Sequence, residues 1–164
     1  MHLLLNRVNR ISLTLFLFVF MSSFSLMATS FQLDNFNPNT QTVDVMYNFD
    51  DGDVAGFQFN VSGLSLSDAS GGAAADAEFD MSVGTSTGIV LGFSFSGDVI
   101  PQGSGVLTTL SFSGFEETVC LSSTIATQPL GSEEYTSDGG DCISTDVPLT
   151  ASFSLGAFVL PTDD

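Results

Sequence analysis

Residues 54–63, VAGFQFNVSG, decide how the chain folds. In them Ala55, Phe57, Phe59 and Val61 alternate with Gly56, Gln58 and Asn60. Apolar side chains at every second position, opposite small or polar ones, make a half-buried β-strand. An acidic turn, NFDDGD (48–53), precedes the stretch and Gly63 follows it. The same period spreads outward. QTVDVMYNF (41–49) directs Val43, Val45, Tyr47 and Phe49 one way, and GLSLSDAS (63–70) turns Leu64 and Leu66 inward as a short strand of its own. FDMSV (79–83) aligns Phe79, Met81 and Val83. GIVLGFSFSG (88–97) gathers Ile89, Leu91, Phe93 and Phe95 opposite Val90, Gly92 and Ser94, while SGVLTTLSFSG (104–114) groups Val106, Thr108, Leu110 and Phe112. ETVCLSSTI (117–125) and LTASFSLGAFVL (149–160) complete the set.

The breaks between these runs are built from Gly, Asp, Ser and Asn, the residues of tight turns. No run of ten or more residues keeps a 3.6-residue period. The alanine-rich segment GGAAADAEF (71–79) has room for one helical turn and no more. Short strands about ten residues apart, without helical crossovers, predict an all-β protein with the architecture of an antiparallel β-sandwich.

The first thirty residues stand apart from this pattern. MHLLLNRVNR holds Arg7 and Arg10, the chain's only basic residues besides His2, and an apolar run follows it. Ala28-Thr29-Ser30 supplies small residues on either side of a third, which suits signal peptidase. The expectation is a signal peptide over residues 1–30, export to the cell surface or medium, and one domain over residues 31–164. An uncleaved membrane anchor is the other reading. Serines at 22, 23 and 25 interrupt the run, and a span needs about 20 apolar residues.

Loss of the two arginines leaves residues 31–164 two units more negative than the −17 of the whole chain, with no Lys, Arg or His. A surface of one sign excludes nucleic acid, whose phosphates need basic groups, and anionic membrane surfaces. It suits solvation in saline water, recruitment of cations, or a basic partner. Nucleophile-base catalysis lacks a His or Lys to activate a hydroxyl. Carboxylate-only glycoside hydrolysis needs a deep sugar cleft, for which a Trp-free domain of this size has little material. The chain reads as a non-enzyme.

Two features carry site chemistry. Cys120 and Cys142 are even in number and exported, so a disulfide is the expected pairing; a thiolate metal or redox pair lacks both C-x-x-C spacing and a His. Asp50, Asp51 and Asp53, with Asn48 beside them, gather hard oxygen ligands of the kind Ca²⁺ takes. The EF-hand register is broken there, and Asp51-Gly52 also reads as a plain hairpin turn. Turn alone and turn with Ca²⁺ both stand. Glu133, Glu134, Asp138 and Asp141 form a second acidic group inside the cysteine loop. Asn60-Val61-Ser62 has the form of a glycosylation sequon within a strand.

VAGFQFNVSG resembles the signature strand of cohesin modules, with its hydrophobic-Ala-Gly-Phe-x-Phe pattern. VLGFSFSG (90–97) and GSGVLTTLSF (103–112) are similar to later cohesin strands, in the same order and spacing. The resemblance covers about residues 43–112. It implies a jelly-roll sandwich of the carbohydrate-binding superfamily, and a recognition module for a dockerin-like or other extracellular protein, or for polysaccharide. Alternatives are a structural subunit of a surface layer or fibre and a direct carbohydrate-binding module. The cysteine loop lies outside the usual cohesin pattern, and no dockerin accompanies it.

Overall fold

Two of the expected breaks do not interrupt the chain, and the result is a pair of long strands that organise everything else. The computed structural model describes residues 29–131 and 133–145. Strands over the described residues are β1 (Thr29–Asn37), β2 (Thr42–Phe49), β3 (Gly56–Ser70), β4 (Asp80–Val83), β5 (Ile89–Phe93), β6 (Gly103–Thr127), β7 (Glu134–Tyr135), β8 (Ser137–Asp138) and β9 (Ile143–Ser144). One short helix, α1 (Gly72–Asp76), occupies the alanine-rich segment as expected.

Gly63 shows why β3 continues. Its φ of +82° suits glycine, and any Cβ there would run into the Thr118 carbonyl of the neighbouring strand. The glycine therefore forms an irregularity inside the ladder rather than a turn, and it shifts the side-chain parity. Phe57, Phe59 and Val61 face the core before it; Leu66 and the half-buried Leu64 do so after it. Gly114 is likewise absorbed within the 25-residue β6.

The protein is mostly β, with one large sheet ordered β4-β5-β3-β6-β2-β1-β8, and β7 and β9 added along β6. β6 pairs antiparallel with β2 on one side and with β3 along nearly its whole length on the other. The sheet is mixed rather than wholly antiparallel, because β1 and β8 run parallel. It curves over a single core: Phe31 on β1 lies 6.1 Å from Phe59 on β3, ring centre to ring centre, although β2 and β6 separate these strands in the sheet. Phe31, Phe49, Phe57 and Phe59 are fully buried, each worth about 1.5–3 kcal/mol over exposure.

Several expectations shift by one position. Val54, not Ala55, is the buried residue before β3, held by a bridge to Ile100. In β6 Leu107 is buried beside Thr108 and Val106 is only half-buried, since Leu107 is the extra residue opposite the Val45–Met46 step of β2. Buried Thr108 satisfies its hydroxyl by donating to the Ser70 carbonyl. β1, with Phe31 and Leu33 buried, was not expected as a strand, and it starts at Thr29, inside the span assigned to the leader. Residues 1–28 of that leader, and the expected strand at 149–160, lie outside the described residues.

Cys120 and Cys142 form the expected disulfide, with their Cα atoms 4.2 Å apart. It closes the loop that carries β7 and β8 back onto β6, and it points to an oxidising compartment.

Candidate functional site

Among the described residues, the acidic turn and the outward face of β5, β3 and β6 are two places that concentrate unusual side chains. In the turn the three carboxylates diverge. Asp50 Oδ2 accepts from Asn48 Nδ2 at 2.7 Å. Asp51 Oδ2 accepts from both the backbone N–H and the hydroxyl of Thr29, each at 3.0 Å. Asp53 Oδ1 accepts from the Gln102 N–H at 2.9 Å, and Gln102 Nε2 donates to the Asp50 carbonyl. The turn thus stitches together the start of β1, the β2–β3 connection and the approach to β6. Among the described residues no three acidic, His or Cys side chains are grouped to hold one metal ion.

Gly52 completes the turn. The hydroxyl of Tyr135 on β7 lies where a Cβ on Gly52 would sit, and it donates to the Asp53 carbonyl at 3.1 Å. Desolvation, and then the negative charges of Asp51 and Asp53, raise the tyrosine pKa above its usual value near 10. In the second acidic group, Glu133, Glu134, Asp138 and Asp141 are all exposed. The sequon amide of Asn60 donates to the Thr87 carbonyl at 3.1 Å.

The outward face reverses what a Phe-rich alternation suggests. Ile89, Leu91 and Phe93 do share one side of β5, but it is the side away from the core: Ile89 is 39% and Leu91 36% exposed, whereas Val90 is fully buried. The cause is Gly92. It faces Phe57 across the β3–β5 ladder, and a Cβ at Gly92 would overlap the Phe57 ring. Only a glycine leaves room for that phenyl group in the core, so the bulky members of the alternation go outside.

The rungs of the sheet then set the face in rows. Phe93 pairs with Gly56, which pairs with Thr127; Leu91 pairs with Gln58, which pairs with Ile125. A shallow groove of about 370 Å³ runs here, bounded by Leu91, Phe93, Ile125 and Thr127, with Glu134 at its end. Gly56 is its floor. A Cβ there would stand 3.1 Å from Thr127 Oγ1 and 3.4 Å from the Gly92 carbonyl, so a larger residue would fill the groove and crowd its walls. Phe95 extends the patch beyond β5, 83% exposed and edge-on to Phe93 at 4.7 Å.

The groove is lined mainly by apolar side chains, with the carboxylate of Glu134 among its lining residues. The period-2 pattern revealed that these four residues sit together; their direction depended on the Gly92–Phe57 contact across strands, which leaves no mark in the sequence of β5 alone. Comparison of the chain with protein-family models, with curated proteins and with solved structures finds no match.

Proposed function

We propose that the chain is a secreted, non-catalytic recognition module with a cohesin-like β-sandwich, and that it binds an extracellular protein through the outward face of β5, β3 and β6. The observation that carries this reading is the outward patch of exposed Ile89, Leu91 and Phe95 with half-buried Phe93, beside the Gly56 groove. The Phe31–Phe59 contact across the core supports the two-layer architecture. The disulfide supports export. With Glu134 at the groove and no basic residue in 31–164, the complementary partner presents apolar side chains flanked by Lys or Arg.

The test is a pull-down from the producing cells' secretome at micromolar bait, run in parallel with the Leu91→Glu/Phe93→Glu double variant. Loss of a central apolar anchor removes about 2 kcal/mol or more of binding, so the variant retains less than a tenth of the captured partner. Equal capture by both, or none by either, sinks the proposal. A second reading, a subunit that joins copies of itself through sheet edges, is favoured by β4, which ends the sheet with one side unpaired among the described residues. Light scattering that finds a monomer with and without Ca²⁺ removes it.

A further inference from the structure

The acidic turn has a partner that explains the placement of Asp51, and it is the beginning of β1. Both polar hydrogens that Thr29 offers, on its backbone nitrogen and on its hydroxyl, go to one oxygen, Asp51 Oδ2. Thr29 is buried. Among the described residues it and Ser30 also form the rungs by which β8 joins β1, Thr29 with Ser137 and Ser30 with Asp138. A chain that begins at Phe31 has lost both of these donors to Asp51 and both of these rungs to β8. The fold therefore needs Thr29 and Ser30, the last two residues of the small triplet that fits a cut before Phe31.

We infer that the leader is cut two residues earlier, between Ala28 and Thr29, and that the α-ammonium group created on Thr29 is held by Asp51. Ala28 supplies the small residue on the leaving side of that bond. In the cut, a signal-sequence peptidase adds water to the Ala28 carbonyl carbon and the C–N bond breaks. Ala28 departs with a carboxylate, and the Thr29 nitrogen is left as an amine, protonated near neutral pH. The bond to the Asp51 carboxylate, already charge-assisted through its acceptor, gains a charged donor and becomes an ion pair. Residues 29–164 contain no Lys, Arg or His, so within them this group is the single cation and the single primary amine.

That uniqueness makes the inference easy to test on the full gene product exported by its own cells. Intact mass and N-terminal sequencing are expected to give Thr29 as the first residue; a start at Phe31, at any other residue or at Met1 overturns the inference. The amine is then acylated with N-hydroxysuccinimidyl acetate. With no lysine in residues 29–164 to compete, incorporation into the peptide that begins at Thr29, read by mass after digestion, reports that amine alone. The folded protein should react at least about tenfold more slowly than the protein in denaturant, and Asp51→Asn should restore several-fold of that rate. Equal rates folded and unfolded overturn the ion pair. The mass readout needs no variant, so a poorly folding Asp51→Asn chain leaves the cleavage site decided.

Discussion

β3 and β5 lie side by side, both alternate bulky with small or polar residues, and they use that alternation in opposite senses. In β3 the bulky members, Phe57, Phe59 and Val61, enter the core, and Gln58 and Asn60 face out. In β5 the small members, Val90 and Gly92, go in, and Ile89, Leu91 and Phe93 face out. A periodic pattern fixes which side chains are companions. Space in the core fixes which companions are hidden, and Phe57 has already taken the volume opposite Gly92. The apolar outer face is therefore a product of packing on the inner one.

The sharpest break of this contrast is Phe59→Ala, which empties a fully buried ring position. It should destabilise by about 3–5 kcal/mol, read from denaturant unfolding. Removal of the disulfide by Cys120→Ser/Cys142→Ser comes next. Cys120 flanks the inward Val119 and Leu121, so the bridge lies on the outward side of β6, and its loss should cost about 3 kcal/mol by freeing the unfolded chain rather than by opening the core. Gly92→Val forces methyl groups against Phe57 and should cost about 1–3 kcal/mol, the penalty of an overfilled interior. Leu91→Ser, one residue away, should stay within about 0.5 kcal/mol of the parent while weakening partner binding. If Leu91→Ser unfolds the protein and Gly92→Val does not, the assignment of faces is wrong.

The smallest effect is a titration. Because folding raises the Tyr135 pKa above its unfolded value near 10, this residue's contribution to stability is complete below that value. It is lost as pH rises through the higher folded pKa. Asp53→Asn should move the phenolate absorbance transition to lower pH, since one of the charges opposing ionisation is gone.

Most of the strands were legible because a period of two holds within each run between irregularities; Val43, Val45 and Phe49 of β2 face the core as their spacing predicts. The disulfide was legible from number and context. What escaped had a common physical origin in contacts between distant segments. Gly63 reads as a turn until the Thr118 carbonyl beside it is known, and Leu107 reads as outward until β2 is seen to skip it. β1 escaped because its first residues also read as the end of a leader. The three aspartates of the turn are obvious as a cluster, but their separate obligations to Asn48, Thr29 and Gln102 depend on strands up to 49 residues away in sequence.

The central place of β6 also sets the order in which the molecule can be assembled. A chain made from its N-terminus can form the β1–β2 and β4–β5 hairpins early, since each joins near neighbours. β2 has only β1 beside it, and β3 only β5, until Gly103–Thr127 arrives, because the other edge of each pairs with that one strand. Loop closure between such remote segments is slow, and topologies rich in it fold late. Residues as far as Thr127 must therefore be present before the sheet is continuous from β3 to β2, so the β1–β2 and β3–β5 halves of the core are joined only late in synthesis.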